Sequence, residues 1–387
     1  MNNNLNKPLK VLGLILEINP FHNGHQYFIN EAINQVKPDV VIAVVSTSFT
    51  MRGNASLINK FDKTTLLLNN NIDLVVELPV SKALNSADFF GKITVKSLID
   101  LGITDLAFGV ENSDISVLSK LYELTNTFDY QKQLNLFLHD NLSYKKASSK
   151  ALASICCDEE LINLIDKPNI TLGLQYYKTI MNVNPQVNVH LIKRVDNYYQ
   201  NTTCEFLSAY TIREKLKNNE NINEYLPYDS SYLNKIDENL LFNLIKYKLL
   251  VDNKNIKNIH LVEEGIDNYL INNFKGNNLN ELLNNLNNKK YSKSRILRTL
   301  MCILLDIPKD YNLDEEYLRV LGFNDKGQLY LNTLPKNIKN RLKTSLKHDS
   351  TQTGLIELNA TKLYSLLINQ DLNHLEYKIP IKNIKGE

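Results

Sequence analysis

The feature that most constrains this chain is an apolar stretch near its start that leads through a short loop into a helix. The run beginning at Val11 consists of apolar and β-branched residues, which predicts a strand buried on both faces. Asn19-Pro20 ends that strand, because proline has no N–H for a strand ladder. From about His25 the apolar residues recur at helical spacing. Together these elements predict a phosphate site: the first helical N–H groups point at the anion, and Gly24 lets the backbone approach it.

His22 and His25 flank this glycine in a His-x-Gly-His pattern. Two imidazoles at the mouth of such a helix can donate hydrogen bonds to a phosphate that gains charge during a displacement at phosphorus. Removing one such donor typically costs ~3 kcal/mol of transition-state stabilisation. A simpler interpretation is that one histidine caps the helix and the other packs in the core. The placement directly after the first strand favours the phosphate site, and we predict His22 and His25 as the catalytic residues.

Composition excludes few functions. The 387 residues suffice for two domains, and a net charge of +2 neither requires nor excludes a polyanionic partner. The first residues contain no apolar segment, and no window reaches 18 uncharged apolar residues, so we expect no signal peptide and no membrane partner. Cys156, Cys157, Cys204 and Cys302 have neither C-x-x-C nor zinc spacing. We therefore expect free thiols, no metal site and a cytoplasmic protein.

Strand and helix patterns alternate over the first 216 residues. Further strands are predicted at 39–45, 72–79 and 105–109, with helices around 63–68 and over 83–101 between them. This alternation indicates right-handed βαβ units and predicts an α/β fold with a doubly wound, Rossmann-like parallel sheet. Ligands in such sheets bind at the carboxyl ends of the strands. The polar loops after these strands are therefore the predicted site.

A later segment offers further phosphate contacts. Residues 187–194 alternate like a strand and end on two cations. Ser208 is placed to cap a following helix, and Ser208, Thr211 and Arg213 could reach phosphates through N–H, hydroxyl and guanidinium donors. The alternative for Ser208 and Thr211 is ordinary helix capping.

Beyond residue 216 the alternation stops and long segments with helical spacing follow. We therefore predict two domains, a catalytic domain over 8–216 and a mainly α-helical C-terminal domain over 217–387. The second domain carries two basic clusters, which suit contacts with a phosphate backbone, although a solvated helix face would explain either one alone. The first comprises Lys289, Lys290, Lys293, Arg295 and Arg298, and the second comprises Lys336, Lys339, Arg341, Lys343 and Lys347.

The stretch Glu17-Ile-Asn-Pro-Phe-His-Asn-Gly-His25 resembles the opening signature of the bacterial tRNA(Met) cytidine acetate ligase family, within the HxGH nucleotidyltransferase superfamily. Weaker matches follow in the expected order along nearly the whole chain. They are Phe108-Gly109-Val-Glu111, the segment around Asn169, Ile192-Lys-Arg194, residues 208–213, Ser294-Arg295-Ile296 with Arg298, and Arg319-Val-Leu-Gly-Phe323. The first domain is thereby expected to be a nucleotidyltransferase-like ATP-binding domain, and the second to bind tRNA.

The resemblance implies an ATP-dependent ligase that activates acetate as acetyl-adenylate. The acetyl group would pass to N4 of the wobble cytidine of elongator tRNA(Met), giving N4-acetylcytidine, AMP and pyrophosphate. ATP would be a substrate accompanied by Mg²⁺, for which the sequence shows no dedicated ligands. The partners implied are acetate and elongator tRNA(Met), with no protein partner. A loop that shields the acetyl-adenylate from water is expected, and the Arg52-Gly53 loop is our candidate.

The same resemblance implies the residues that contact the nucleotide. His22 and His25 would bind the α-phosphate in the transition state, and Ser208, Thr211 and Arg213 would hold the outgoing phosphates. Gly109, Asn169, Lys193 and Arg194 would contact the rest of the nucleotide. The nucleotide loop would comprise Ile15, Leu16, Glu17, Ile18, Asn19, Pro20, Phe21, His22, Asn23, Gly24, His25, Gln26, Tyr27 and Phe28.

The sequence departs from the family pattern at a few loop positions. Ile18 stands where the family usually has tyrosine, and Met51 where it usually has glutamine. Ile170 replaces a second asparagine, and Val195-Asp196-Asn197 replaces a glycine-rich turn. None of these changes removes a predicted phosphate ligand.

Two other functions are compatible with the same pattern. One is a small-molecule nucleotidyltransferase, which would use the same His-x-Gly-His site. The predicted C-terminal domain of some 170 residues counts against it, because such an enzyme needs little more than the sheet domain. The other is a non-catalytic, nucleotide-gated RNA-binding protein, against which the intact His22, Gly24 and His25 count.

Overall fold

The protein is built around an eight-stranded sheet, as described by a computed structural model that covers residues 9–140, 142–194, 206–263 and 265–383. The strands are β1 (Val11–Leu16), β2 (Val40–Ser46), β3 (Leu74–Leu78), β4 (Asp105–Val110), β5 (Asn188–Lys193), β6 (Leu318–Asn324), β7 (Leu342–Lys343) and β8 (Ile381–Asn383). Their order is β5-β4-β1-β2-β3-β6-β7, and β8 also pairs with β6.

Helices connect the strands and form most of the C-terminal half. They are α1 (Asn23–Val36), α2 (Lys60–Asn69), α3 (Val80–Ala83), α4 (Ala87–Asp100), α5 (Ile115–Thr125), α6 (Phe128–His139), α7 (Tyr144–Ala153), α8 (Glu159–Ile165), α9 (Pro168–Val183), α10 (Ala209–Lys217), α11 (Glu238–Leu250), α12 (Ile266–Asn272), α13 (Leu279–Leu286), α14 (Lys293–Leu304), α15 (Asp325–Thr333), α16 (Lys336–Lys339) and α17 (Gln352–Ile368).

The five strands from the N-terminal half are parallel, which confirms the predicted α/β fold. From β1 the chain moves outwards to β2 and β3, and it then returns to the opposite side of β1 for β4 and β5. Strand order therefore reverses at β1. In doubly wound sheets such a reversal opens a crevice beyond the carboxyl ends of the strands, where ligands bind.

Both faces of this sheet are covered, which explains why its strands read as continuous apolar runs. On β2, Val41 and Ala43 face the side packed by α1 and α2, whereas Ile42 and Val44 face the side packed by α4 and α9. Alternate residues of one strand thus belong to two different cores, as the two-residue period of a strand requires.

The C-terminal half contributes to the same sheet. Strand β6 pairs antiparallel with β3, and β7 and β8 pair with β6. The sheet therefore crosses the predicted domain boundary near residue 216, and the helical half carries three strands. The signal for β6 was present as the run Leu318-Arg-Val-Leu-Gly-Phe323, which is apolar except for its arginine, but the helical spacing on both sides of it favoured a helix.

A buried cluster of charged side chains fastens the two halves together. Arg319 on β6 pairs with Glu77 on β3 and with Glu376 near the C-terminus, and Lys60 on α2 pairs with Glu77, Glu357 and Glu376. All of these side chains are at most 2% exposed. Charges removed from water to this degree must be paired, so each half depends on the other for its partners.

The structure also describes the cysteines and the lengths of the helices. Cys156, Cys157 and Cys302 are free thiols, and Cys204 lies outside the described residues. Among the helices of the described ranges, none combines the length and the apolar character that crossing a membrane requires.

Candidate active site

A cleft of about 300 Å³ opens at the carboxyl ends of the parallel strands, over the point where their order reverses. It is walled by the loop after β1, the ends of β4 and β5, the β2–α2 loop (residues 47–59) and the first turns of α4, α9 and α10. This is the position expected for a ligand site in a doubly wound sheet.

His22 lines the cleft and caps helix α1. Its Nδ1 accepts a hydrogen bond from the N–H of Gly24 at 3.0 Å. The acceptor nitrogen of a neutral imidazole carries no proton, so the proton is on Nε2. Burial, with help from the nearby charges of Arg194 and Arg213, lowers the pKa of His22 to about 3. His22 therefore offers the cleft a neutral N–H donor at physiological pH.

His25 stands beside His22, and their ring centroids are 3.9 Å apart. The His25 ring also stacks on Phe21 at 5.9 Å, and its backbone N–H donates to the carbonyl of His22 at 2.8 Å. Gly24 makes this arrangement possible, because a Cβ there would lie only 2.8 Å from Cε1 of His22. The glycine was predicted to admit a phosphate, and the structure shows that it also admits the capping imidazole.

Arg213 on α10 holds the loop that carries the histidines. Its Nη1 donates to the carbonyl of Asn19 at 2.6 Å. The Asn19 side chain in turn donates to Ala55 O at 3.1 Å and accepts from Leu57 N at 2.9 Å. One residue of the β1–α1 loop thus joins α10 to the β2–α2 loop across the cleft.

On the other side, Glu111 positions the residues predicted to bind the nucleotide. Its Oε1 accepts hydrogen bonds from the backbone N–H and the side-chain amide of Asn169, at 3.1 and 2.9 Å, and its Oε2 accepts from Ile170 N at 3.0 Å. The Asn169 oxygen then accepts from Arg194 Nη1 at 3.5 Å. Gly109 lies against the Arg194 stem, where a Cβ would be 3.4 Å from Cγ.

Glu17 is a half-buried acidic residue that lines the cleft. It accepts a hydrogen bond from the N–H of Met51 at 3.0 Å. Burial raises the pKa of Glu17, and the Met51 bond and the charges of Arg52, Lys63 and Arg213 oppose that rise. The cations around this carboxylate outnumber it, so the cleft has a net positive potential that suits an anionic ligand.

The structure brings most of the predicted nucleotide contacts together. Those that line the cleft are Ile15, Leu16, Glu17, Asn19, His22, Gly24, His25, Tyr27, Phe28, Gly109, Asn169, Lys193, Arg194 and Arg213. The predicted residues that do not line it, within the described part of the chain, are Ile18, Pro20, Phe21, Asn23, Gln26, Ser208 and Thr211.

These outlying residues have structural partners of their own. Ile18 and Phe21 pack in the core beneath α1, and the Gln26 amide donates to Asn70. Ser208 caps α10 by accepting from Thr211 N at 3.1 Å, and the two hydroxyls lie 2.9 Å apart. The capping alternative thus describes their geometry, and a phosphate contact from either hydroxyl stays a prediction.

Several lining residues were not predicted as site residues. Thr50, Met51 and Asn54 come from the β2–α2 loop, and their position after a parallel strand was the available signal. Ala87, Phe90 and Tyr176 come from α4 and α9. Their apolar spacing is that of ordinary core residues, so the sequence held no local signal for them.

The two predicted basic clusters lie at different distances from the cleft. One member of the first cluster, Arg298, packs against the loop that walls the cleft: a Cβ on Gly53 of the β2–α2 loop would lie 3.0 Å from the Arg298 nitrogen. The second meets the far end of α4, where Arg341 pairs with Asp100 at 2.8 Å. Helix α4 begins at the cleft and has 14 residues, so this end is about 20 Å away.

The second cluster is also partly neutralised. Arg341 pairs with Glu316 at 2.9 Å as well as with Asp100, and Lys343 pairs with Asp349 at 2.7 Å. The sequence showed no acidic residue within this cluster, but the fold supplies three from elsewhere. In the first cluster, Lys289 and Lys293 are exposed and Arg295 lies over the Tyr291 ring at 5.2 Å.

Comparisons with known proteins agree with this site. A family model described as HIGH Nucleotidyl Transferase matches residues 9–378. A Thermosipho africanus protein named tRNA(Met) cytidine acetate ligase is 38% identical over 353 residues, covering 85% of this chain and 83% of that protein. Proteins of the same name from Clostridium kluyveri and Staphylococcus haemolyticus are 34% and 32% identical, covering 94% and 96% of this chain and 97% and 98% of their own. The chain belongs to the tRNA(Met) cytidine acetate ligase family.

Solved structures of this family share the whole fold. A crystal structure of Thermotoga maritima TmcAL bound with alpha-thio ATP has a TM-score of 0.83 at 26% identity, covering 97% of this chain and 100% of that chain. An apo form of the same protein has a TM-score of 0.86 with the same identity and coverage. Both matches and the family model span the predicted boundary near residue 216, and they confirm the family resemblance predicted from Glu17–His25.

Proposed function

We propose that this protein is an ATP-dependent ligase that activates acetate as acetyl-adenylate and transfers the acetyl group to N4 of the wobble cytidine of elongator tRNA(Met). The products are N4-acetylcytidine, AMP and pyrophosphate. The observation that carries the proposal is the pair of imidazoles at the N-terminus of α1. They line the cleft over the strand reversal of a chain that belongs to the tRNA(Met) cytidine acetate ligase family.

In the first step, an acetate oxygen attacks the α-phosphorus of ATP and the bond to the β-phosphate oxygen breaks, so pyrophosphate leaves with the electron pair. The enzyme supplies mainly positioning and charge stabilisation in such a displacement. The Nε2–H of His22 donates to a non-bridging α-phosphate oxygen, which gains negative charge in the transition state. His25, with its ring 3.9 Å from that of His22, supplies a second contact to the same phosphate.

Two guanidinium groups complete the phosphate site. Arg194 and Arg213 both line the cleft and lie close enough to His22 to lower its pKa. Guanidinium keeps its charge at any working pH and matches phosphate oxygens with paired donors. Arg213 faces the outgoing pyrophosphate from α10. Gly109, Asn169 and Lys193 hold the nucleoside end over β4 and β5.

In the second step, N4 of the cytidine attacks the carbonyl carbon of the acetyl-adenylate. The bond from that carbon to the AMP oxygen breaks, AMP leaves, and N4 loses a proton. Water would compete with the cytidine for the same carbon, so the intermediate must be shielded. The Arg52-Gly53 turn, which overhangs the cleft and packs against α14, is the segment we assign to this shielding.

Mg²⁺ would accompany ATP as its counter-ion. Within the described ranges, no group of three or more histidine, cysteine, aspartate or glutamate side chains could hold a metal ion. Magnesium in nucleotide sites commonly binds phosphate oxygens and keeps several waters. The donor set here does not form a protein cage for the ion, and we route no step through it.

The first basic cluster is the part of the surface that we assign to tRNA. A tRNA whose wobble base enters the cleft must bring its backbone across the neighbouring surface. Helix α14 borders the cleft there, because its Arg298 packs against Gly53 of the β2–α2 loop. Lys293 and Arg295 are on that helix, and Lys289 precedes it in the chain. Contacts of this kind supply affinity and position rather than base specificity.

The test is ATP–pyrophosphate exchange by the purified protein, with and without acetate and with and without tRNA(Met), followed by mass spectrometry of the tRNA. We expect acetate-dependent exchange and one N4-acetylcytidine. His22→Asn and His25→Asn should each reduce exchange by about 100-fold or more, because each removes one transition-state donor. His139→Asn, at an exposed helix end, is the matched control and should change nothing.

Exchange that required a phosphorylated metabolite instead of an acid would favour a small-molecule nucleotidyltransferase, because AMP needs an acceptor before pyrophosphate can leave. No exchange with any acid or phosphorylated metabolite, even with tRNA present, would favour nucleotide-gated RNA binding. If both histidine variants lost tRNA binding as strongly as exchange, the role assigned to the imidazoles would be wrong.

A further inference from the structure

We propose that the part of the cleft between the β2–α2 loop and helices α4 and α9 binds the short carboxylic acid, with Thr50 and Arg52 holding its carboxylate and Phe90 closing the space around its methyl group. This inference rests on the proposed function, which requires an acid next to the α-phosphate. The residues assigned to the nucleotide do not say where the acid binds. This inference gives the acid a binding position and an upper limit on its size.

Thr50 supplies the first observation. It lines the cleft, its side chain is 3% exposed, and its hydroxyl has no hydrogen-bond partner in the described part of the protein. A buried hydroxyl without a partner is costly, and in a substrate cleft it indicates a ligand atom that completes it. The hydroxyls of Ser46 and Thr47 also lack partners, but neither residue lines the cleft.

Arg52 supplies a positive charge at the same place. Its exposed side chain lines the cleft, and no carboxylate of the described residues lies within ion-pair distance of it. A carboxylate is the anion whose planar geometry guanidinium matches best. Arg52 and Thr50 are two residues apart in a turn closed by the Gly53 N–H, which donates to Thr50 O at 2.8 Å.

The cleft also has an apolar wall, formed by residues of α4 and α9. Phe90 is 2% exposed and Tyr176 is 5% exposed, and the Tyr176 ring packs edge-on against Phe108 at 5.2 Å. Ala87 lines the same side. Buried aromatic rings suit a methyl group, and closely packed side chains behind them yield little to a longer chain.

Glu17 joins the β2–α2 loop to the segment that carries the histidines. The raised pKa of its carboxyl group also suits a substrate carboxylate nearby. Its carboxylate accepts from Met51 N at 3.0 Å, so the β2–α2 loop is tied to the residue just after β1. Burial raises the pKa of Glu17, and burial together with the Glu17 charge raises that of the Tyr176 hydroxyl. A Glu17 that is more readily protonated repels a substrate carboxylate less.

Thr50→Val tests the polar end of the site, with exchange measured over a series of acetate and ATP concentrations. We expect KM for acetate to rise about tenfold to a hundredfold, the usual loss for a hydrogen bond to a charged group, with KM for ATP unchanged. Thr50→Ser keeps the hydroxyl and should restore acetate binding. Thr47→Val removes a second unpartnered, buried hydroxyl from the same loop without touching the cleft, and should leave both constants unchanged.

Phe90→Ala tests the apolar end. Removing the ring should open room for propionate and butyrate, so the ratio of their kcat/KM to that of acetate should rise about tenfold or more. Asn169→Ala, on the nucleotide side, should raise KM for ATP and leave the preference among acids as it is. A change in folding alone would lower kcat/KM equally for all acids and would leave the preference among them unchanged.

The outcomes separate this inference from the proposed function. Wild-type protein without acid-dependent exchange, even with tRNA, would end the proposed function and this inference with it. This inference alone would be overturned by a different result, in which the wild type shows acid-dependent exchange but the variants do not behave as expected. In that case Thr50→Val and Thr47→Val would have the same KM for acetate, and Phe90→Ala would keep the acid preference of the wild type.

Discussion

Nδ1 of His22 accepts a hydrogen bond from the N–H of Gly24, and this contact decides which imidazole nitrogen faces the substrate. Because Nδ1 is the acceptor, Nε2 carries the proton and is the donor. The two interpretations of the His-x-Gly-His pattern therefore describe one residue: His22 caps helix α1 and also lines the cleft. Helix capping fixes the tautomer that the proposed chemistry needs.

Gly24→Ala should disable this donor without unfolding the protein. The added methyl would lie 2.8 Å from Cε1 of His22 and 3.0 Å from its Nδ1, so the imidazole must rotate away. We expect kcat for ATP–pyrophosphate exchange to fall about 100-fold, as for loss of a placed donor, with a smaller change in KM for ATP.

Gly265→Ala is the matched control for that variant. Gly265 has a φ of +77° but open space around it, so an alanine there is strained without a clash. It should cost about 1 kcal/mol of stability and leave exchange intact. Equal losses of exchange in the two variants would mean that the Gly24 effect is a stability effect.

The pH dependence of stability should report the buried, neutral state of His22. Its pKa is lowered from 6.5 to about 3 in the folded protein, so the unfolded chain binds the extra proton first. Folding stability therefore falls as pH falls from about 6.5 towards 3, by up to about 1.4 kcal/mol per pH unit. His22→Asn retains a side-chain acceptor for the helix cap and should remove that part of the slope.

Urea unfolding of both proteins at pH 7, 6 and 5 measures this difference. We expect the stability of the wild type relative to His22→Asn to decline over that series, because only the wild type has this imidazole to protonate. Parallel curves would show that His22 takes up its proton at the same pH in the folded protein as in the unfolded chain. Burial would then not hold this imidazole in its neutral form.

Glu111 should act on ATP through Asn169. Glu111→Ala removes the acceptor that holds the Asn169 backbone and amide, and Asn169 in turn contacts Arg194. We expect KM for ATP to rise about tenfold, with kcat changed less, since the histidines keep their positions. Glu111→Gln keeps one acceptor and should recover part of the loss.

Asp114→Ala controls for helix capping in that experiment. Asp114 caps α5 through the N–H of Ser116 at 2.9 Å; it is exposed and does not line the cleft. It should lower the melting temperature by a similar amount and leave KM for ATP unchanged. If Asp114→Ala raised that KM equally, the Glu111 effect would be one of general stability.

The sequence predicted the parts of the site that lie next to one another along the chain. The apolar run from Val11, the proline after it and the two histidines are local signals, and each has a local physical meaning. The same holds for strand β2 and the polar loop after it. Parallel strands bring such loops to one edge, so the general position of the cleft followed from the predicted sheet.

The remainder depends on contacts between distant segments, which a single sequence does not display. The bond between Glu17 and Met51 spans 34 residues, and that between Arg213 and Asn19 spans 194. Nothing in the spacing of Phe90 distinguishes a ring that faces a substrate from one that fills a core. Strand β6 was missed for a related reason, because its partner β3 lies more than 200 residues earlier.

Arg319→Met should show that the two halves unfold together. The guanidinium is 2% exposed and pairs with Glu77 and Glu376, so the variant leaves two buried carboxylates with less compensation. Removing one partner of a buried pair commonly costs 3–5 kcal/mol. Lys92→Met, from an exposed pair with Asp314, is the control and should cost less than 1 kcal/mol. An early transition confined to one half would contradict a single cooperative unit.

The two basic clusters should differ in their effect on tRNA binding. Alanine at Lys289, Lys293 and Arg295 removes three cations of the first cluster, whereas alanine at Lys336, Lys339 and Lys347 removes as many from the second. Each lost phosphate contact reduces the slope of log affinity against log salt by about 0.7 to 0.9. We expect the first variant to lose about two units of slope and at least tenfold in affinity, and the second to lose little.

Filter binding of tRNA(Met) over a potassium chloride series measures both quantities, and acetate-dependent exchange without tRNA shows that each variant retains an intact cleft.

The expected asymmetry follows from distance: a wobble base in the cleft places its own phosphates within reach of α14, and the second cluster lies about 20 Å further away. The rest of a tRNA is large enough to reach that second cluster too. Equal losses in the two variants would therefore mean that tRNA lies along the whole of α4, and a loss confined to the second would place the tRNA on a face away from the cleft.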